Sequence, residues 1–242
     1  MIKDKKVAII IPARYGSSRL PGKPLLEVNG KIILEHVWLK AKASKYADKV
    51  ILAVDDDRIF NCAMAFGANV EMTSTEHKCG SDRIAEVLNR HQEFDFVINL
   101  QGDEPMITPE AIDGLIEGLF ESKADISTLI RKISQNDAQS PNLVKCVFDN
   151  NFNALYFSRS LIPYPRNSEN IQYYGHIGMY GYTKSALLNI VKLPQTSLEI
   201  AESLEQLRAL QNGYKINVVP VELNLIGIDT MEDFEKFKAI FE

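Results

Sequence analysis

The sequence predicts an α/β fold, a mostly parallel central sheet covered by helices, with a β-rich lobe inserted in the second half. Three observations predict it. From Val7 to Phe120, short apolar runs alternate with segments of helical spacing, the order that builds parallel sheets. Those runs are apolar throughout, as strands buried on both faces are. After that stretch, hairpin and small–aromatic alternation replace the pattern, as in antiparallel strands.

The elements follow in order. Val7-Ala-Ile-Ile-Ile11 is the first buried strand, and Ile32 to Tyr46 is a helix with Ile33, Val37 and Ala41 on one stripe. Lys49 to Val54 is the second strand; Arg58 to Phe66 is a helix that Gly67 ends; Ala68 to Met72 is a short strand. Ser81 is placed to cap a helix running to about His91, since a serine oxygen accepts from the first helical N–H groups. Phe94 to Leu100 is the next strand, and Thr108-Pro109-Glu110 opens a helix with Thr as cap and Pro at its first position. Val144–Phe148 and Ala154–Phe157, joined by Asp149-Asn-Asn151, read as a hairpin, and Tyr173 to Tyr182 as a further strand. Ser197 to Gln211 reads as one amphipathic helix with Leu198, Ala201, Leu204, Leu207 and Leu210 near one face and Gly213 as its stop. Lys215 to Val221 is a strand, and Glu232 to Phe241 a closing helix capped by Asp229 or Thr230. No linker or repeat interrupts the chain, so residues 1–242 read as a single domain.

Composition sets the class. Apolar residues make up 45% and charged residues 24%, ordinary globular values. With 27 basic and 32 acidic side chains the net charge is −5, which argues against a nucleic-acid partner, whose affinity comes from neutralised phosphates. Cys62, Cys79 and Cys146 are too far apart for a metal or redox motif and suit a reducing cytoplasm. No stretch approaches the roughly 18 apolar residues of a membrane span. The basic start before Val7 faintly resembles a signal peptide, but its apolar part ends at Pro12.

Ligands of parallel sheets bind beyond the carboxyl ends of the strands. Those ends here are Pro12–Lys23, Asp55–Asp57 and Gln101–Pro105. The first, Pro12-Ala-Arg-Tyr-Gly-Ser-Ser-Arg-Leu-Pro-Gly-Lys-Pro24, gathers Arg14, Arg19 and Lys23 beside Gly16 and Gly22. Cations and glycine N–H groups together suit phosphate oxygens. It is not a Walker loop, because Pro24 stands where Ser or Thr must hold magnesium. The second, Asn99-Leu-Gln-Gly-Asp-Glu-Pro105, offers Asp103 as a metal ligand at a strand end. A third carboxylate, Asp229, taken alone reads first as a helix cap; beside Asp103 and a phosphate loop it also reads as a metal ligand, since magnesium characteristically uses one or two carboxylates plus substrate phosphates.

The segment Ile10 to Pro24 resembles the opening signature of the CMP-KDO synthetases, the 3-deoxy-manno-octulosonate cytidylyltransferases. The resemblance continues through Val97–Pro105, Ala154–Pro163, His176–Tyr182, Leu204-Glu-Gln-Leu-Arg208 and Ile228-Asp-Thr230, in family order. It implies a Rossmann-like nucleotidyltransferase fold with a dimerisation lobe, a homodimer, and transfer of CMP from CTP to the anomeric hydroxyl of KDO with Mg2+, for lipopolysaccharide biosynthesis. It divides the domain into a nucleotide-binding half, 1–130, and a sugar-binding and dimerisation half, 131–242.

Carried over by position, Pro12, Ala13, Arg14, Arg19 and Lys23 surround the CTP phosphates, and Gly80, Ser81 and Gln101 lie near the nucleotide. Asp103 and Asp229 hold the metal. Arg159, His176, Tyr180, Glu205 and Gln206 line the sugar pocket, where an Arg fork suits a carboxylate and the others suit hydroxyls. Tyr180 and His176 also read as strand packing, and Glu205 and Gln206 as a solvated helix face. Glu199 fits a capping box with Thr196 and stays outside the site. Two departures stand out: Cys79 replaces the family's usual serine before Gly80, and Met231 replaces a proline. The same reaction on 8-amino-KDO is the near alternative; a nucleotide-sugar glycosyltransferase and a silent nucleotide-binding module are more distant ones.

Overall fold

The computed structural model describes residues 1–16, 20–77, 79–167, 171–223, 227–228 and 230–241. It forms two compact units, residues 1–113 with 224–242, and residues 114–223. The halves read from the sequence met at 130/131. The units divide earlier because residues 126–133 form a strand that pairs within the second unit.

In the first unit, β1 (Val7–Ala13) precedes a small hairpin of β2 (Glu27–Val28) and β3 (Lys31–Ile32). Then come α1 (Ile33–Lys42), β4 (Lys49–Val54), α2 (Asp57–Ala65), β5 (Asn69–Met72), α3 (Gly80–Arg90), β6 (Phe96–Asn99) and the start of α4 (Pro109–Ser122). The strands lie in the order β6-β1-β4-β5, every pair parallel. Val7 to Ile11 are fully buried, which is why the run carries no polar alternation; each such Ile or Val contributes roughly 1.5–3 kcal/mol by leaving water.

Local chemistry sets the ends. Helix α1 stops at Lys42, short of the expected Tyr46, because the Asp113 carboxylate accepts from Ser44 Oγ at 2.7 Å and from the Lys45 N–H at 3.0 Å. Thr108 Oγ accepts from the Ala111 N–H at the head of α4, as expected. Helix α3 begins at Gly80 with Cys79 in the cap position and no side-chain cap bond. Ser81 therefore lies inside the first turn and is not the cap. The β2–β3 hairpin escaped the sequence reading although Asn29-Gly30 advertises it: both take positive φ, 51° and 71°, as a tight two-residue hairpin turn requires.

The second unit carries β7 (Ile126–Ile133), α5 (Gln135–Ala138), β8 (Lys145–Phe148), β9 (Ala154–Ser158), β10 (Tyr173–Thr183), α6 (Lys184–Ile190), α7 (Ser197–Glu202), α8 (Gln206–Gln211) and β11 (Ile216–Pro220). Strand β7 pairs parallel with β11 and antiparallel with β10, and the β8–β9 hairpin adds beside β10. The mixed α/β class and the β-rich insertion thus stand. Gly118 of α4 shows how closely the helix lies on β11: a Cβ there would clash with Val219 Cγ2.

Ser197–Gln211 is not the single helix its spacing predicts. Ser203 takes φ 52° and separates α7 from α8. Leu198 is exposed, while Glu199 is buried with Arg208, whose Nε and Nη2 reach its carboxylate at 2.9 and 2.5 Å. Leu204 and Leu207 of the expected apolar stripe are buried, and so is the Glu199–Arg208 ion pair; of the expected Thr196–Glu199 capping box, the bond from the Thr196 N–H to the Glu199 carboxylate forms, at 3.2 Å. Finally α9 (Met231–Phe241) closes the chain in the first unit.

Candidate active site

The three strand ends singled out in the sequence converge in the first unit. Pro12 and Ala13 end β1 beside Ala53 and Val54 of β4. A Cβ on Gly102 would lie 3.0 Å from the Pro12 carbonyl oxygen, and one on Gly80 would lie 3.3 Å from Pro12 Cγ and 3.9 Å from Gln101 Oε1. Glycine at both positions lets the head of α3 and the 101–105 turn close on the end of β1. Gln101 is itself held, its Nε2 donating to Asn99 Oδ1 at 2.9 Å.

Lys23 starts a short 3-10 helix, Lys23–Leu25, behind Gly22, which takes φ 71°. Its buried ammonium donates to the Asp103 carboxylate. The Asp103 carbonyl accepts from the Ile228 N–H at 3.1 Å. The phosphate-type loop and the 101–105 turn, candidates for different jobs, therefore share an ion pair. Arg14 is exposed at the end of β1. Arg19 and Asp229 lie outside the described residues. The cap role that competed for Asp229 is filled by its neighbour: Thr230 Oγ accepts from the Asp233 N–H at 3.2 Å, and the Asp233 carboxylate accepts from the Thr230 N–H at 2.9 Å.

Two residues without a sequence-assigned role hold this loop. The Asp55 carboxylate accepts from the Tyr15 N–H at 3.1 Å and from Arg83 Nη2 at 2.9 Å. Arg83 is buried and also donates to Thr73 Oγ. The Arg58 guanidinium lies 3.3 Å from the centre of the Tyr15 ring, a cation–π contact. Asp55 stood at a predicted strand end, which was the available signal; nothing local marked Arg83.

The second unit brings the expected sugar residues together in part. His176 and Tyr180 sit on β10 with ring centres 5.4 Å apart, and Phe157 lies 4.9 Å from the imidazole on its other side. Thr128 Oγ donates to the Met179 carbonyl at 2.8 Å, so its 2.9 Å contact with His176 Nε2 is donated by the imidazole. That fixes the Nε2–H tautomer and leaves Nδ1 as an acceptor. Burial lowers the His176 pKa to about 3, so the ring stays neutral. Burial, then Tyr182 and Glu205, raise the Tyr180 phenol well above its usual value, keeping it an O–H donor. Glu205 occupies the cap position of α8 and Gln206 its first residue. Gln206 is buried, and its Nε2 has no hydrogen-bond partner among the described residues. Such a group calls for an outside acceptor. Arg159, after β9, donates from Nε, Nη1 and Nη2 to the carbonyls of Glu202, Pro141 and Ser203 at 2.8, 3.1 and 3.5 Å. Among the described residues no group of three or more His, Cys, Asp or Glu side chains is placed to hold a metal ion, and no helix is long and apolar enough to cross a membrane.

Comparison with known proteins agrees with this geometry. The family model described as Cytidylyltransferase matches residues 8–216. The chain is 48% identical over 229 residues to the 3-deoxy-manno-octulosonate cytidylyltransferase of Fusobacterium nucleatum, covering 94% of this chain and 93% of that one. It is 44% identical to the 8-amino-3,8-dideoxy-manno-octulosonate cytidylyltransferase of Shewanella sediminis, covering 94% and 95%. A solved structure of CMP:2-keto-3-deoxy-manno-octonic acid synthetase complexed with CTP superposes with a TM-score of 0.94 at 43% identity, over 97% of this chain and 98% of that one. The chain belongs to the cytidylyltransferase family, among the 3-deoxy-manno-octulosonate cytidylyltransferases.

Proposed function

We propose that the chain transfers CMP from CTP to the anomeric hydroxyl of KDO, giving CMP-KDO and pyrophosphate for lipopolysaccharide biosynthesis. The observation that carries the reading is the Lys23–Asp103 pair at the carboxyl ends of parallel strands, beside Pro12, Gly80 and Gln101. A cation, a carboxylate and glycine-opened backbone in one place suit a nucleoside triphosphate.

In this reading Arg14, Arg19 and Lys23 neutralise the triphosphate, and Pro12, Ala13, Gly80, Ser81 and Gln101 border the nucleotide. The sugar hydroxyl attacks the α-phosphorus in line; its oxygen bonds to phosphorus as the bond to the β-phosphate oxygen breaks, and pyrophosphate leaves. Such transfer depends on positioning and on stabilising charge, which the cations supply to the departing oxygens. Arg159 takes the sugar carboxylate, and His176, Tyr180, Glu205 and Gln206 take its hydroxyls. The neutral His176, whose Nδ1 is left as an acceptor, and the Gln206 Nε2, without a partner among the described residues, support that assignment.

Asp103 and Asp229 would hold Mg2+. The donor chemistry fits: carboxylate oxygens are its preferred protein ligands, used one or two at a time with substrate phosphates, and Thr230 provides the α9 cap. Bound there, the ion would supply charge for the phosphates and would acidify the attacking hydroxyl. A homodimer is supported by the apolar side chains that the second unit leaves exposed, Phe152, Leu155, Tyr164, Leu198 and Ile200.

The test is pyrophosphate release from CTP, with UTP as control, on adding KDO and magnesium. Release with CTP and KDO is expected; silence with every sugar offered overturns the reading. The Shewanella sediminis relative favours one second reading, the same transfer to 8-amino-KDO. Competing the two sugars for limiting enzyme separates them.

A further inference from the structure

Arg159 is held by more than its own side chain. The Glu202 carboxylate accepts from the Arg159 backbone N–H at 2.9 Å and from Ser158 Oγ at 2.6 Å. On the other side of the residue, Lys145 Nζ donates to the Arg159 carbonyl and, at 2.9 Å, to the Ser140 carbonyl. Lys145 is fully buried and Ser158 nearly so. The residue is thus clamped at both of its peptide groups, while its guanidinium, among the described residues, rests on neutral carbonyls.

The charges do not balance. Two cations, Lys145 and Arg159, face one carboxylate, Glu202. Among the described residues neither cation's side chain forms an ion pair with a carboxylate, and the Glu202 carboxylate is spent on Ser158 Oγ and the Arg159 backbone N–H. Burial lowers the pKa of Lys145, Glu202 offsets part of that, and Arg159 adds to it. A buried ammonium with no carboxylate contact costs folding free energy. A ligand carboxylate on Arg159 would bring the cluster to neutrality.

We propose that Lys145 and Glu202 are positioning residues for substrate recognition: both lock Arg159 at the end of β9, in a cluster that Lys145 leaves one positive charge in excess, so that the locked guanidinium selects an acid sugar. The inference rests on the sugar-acid reading above and names the residues that make Arg159 competent for it. Neither residue touches the substrate in this account; both act through Arg159.

The experiment is steady-state kinetics of the full chain with CTP, magnesium and KDO for the near-isosteric variants Lys145→Met and Glu202→Gln, alone and combined with Arg159→Ala. Loss of a charge-assisted contact corresponds to about tenfold or more. Each single variant is expected to raise KM for the sugar about tenfold, with KM for CTP and kcat within about threefold of wild type. In the Arg159→Ala background the same changes should have little further effect, because residues acting through one partner are not additive. A merely structural role would lower thermal stability and the active fraction without this split between substrates, and would persist without Arg159. Sugar KM within twofold of wild type in both variants, or an equal penalty with and without Arg159, overturns the inference and leaves the proposed function standing. Absence of turnover by the wild type with any sugar overturns both.

Discussion

The ammonium of Lys23 donates to the carboxylate of Asp103, joining two loops 80 residues apart in the chain. Each residue was assigned a separate task, phosphate and metal, and the structure makes them neighbours. Asp103→Ala is expected to lower kcat at least a hundredfold, a barrier increase of about 3 kcal/mol. Lys23→Met is expected to raise KM for CTP by about tenfold or more, since it removes a charged phosphate partner. Initial rates of pyrophosphate release check both, and near-normal turnover of the Asp103 variant counts against the assignment.

Thr230 and Asp229 should separate stability from activity. Thr230 provides the α9 cap, so Thr230→Ala should cost about 0.5–2 kcal/mol of stability. Asp229→Ala should leave the melting temperature nearly unchanged and abolish most turnover. The reverse pattern, measured by thermal denaturation beside the rate assay, assigns the cap to Asp229 instead.

His176 should not titrate near neutrality. Burial depresses its pKa from 6.5 to about 3. The unfolded state therefore takes up the proton first, and stability rises with pH wherever that is so. Its contribution is complete above about 6.5 and is lost as pH falls from there toward 3. The His176 ring resonances, followed by NMR, should stay constant from pH 8 to about 5; a midpoint near 6.5 would show an imidazole in contact with water.

Glu199 and Arg208 form a buried pair, with side chains 5% and 10% exposed. The hydrogen bond from Arg208 is the largest cause lowering the Glu199 pKa. A depressed carboxylate contributes stability above its unfolded pKa and loses it as pH falls through the folded value. Glu199→Ala strands the guanidinium and should cost about 3–5 kcal/mol, or a fall in Tm of about 6–20 °C at roughly 2–4 °C per kcal/mol. Urea denaturation at pH 7 measures it, and the deficit should shrink on acidification.

Cys79 stands at the cap of α3 with extended backbone, φ −136° and ψ 168°, and no side-chain cap bond. Cys79→Ser offers the oxygen acceptor that this position favours. It should stabilise the chain by about 0.5–1 kcal/mol, read as a rise of about 1–4 °C in Tm, with turnover intact.

Legibility followed the range of the interaction. The parallel strands of the first unit, the 145–158 hairpin and the Thr108 cap could be read because each rests on neighbouring residues. The β2–β3 hairpin was equally local and simply passed over. Strand β7 was missed because Ile126–Ile130 shows no turn signal before it, and its pairing with β10 and β11 is remote. The helix over 197–211 was overextended: spacing registers apolar residues but does not register that a buried Glu199 draws Arg208 inward, or that Ser203 adopts positive φ.

By itself the sequence determined the α/β class, the strand ends to be searched, and the family, because buried runs and motif order are properties of contiguous residues. The tertiary structure alone decided that Lys23 meets Asp103, that Thr230 caps α9, that His176 is neutral, and that Lys145 and Glu202 clamp Arg159. Those are pairings and burials of residues far apart along the chain. Their energies come from desolvation and hydrogen-bond geometry, which no local pattern of residue types records.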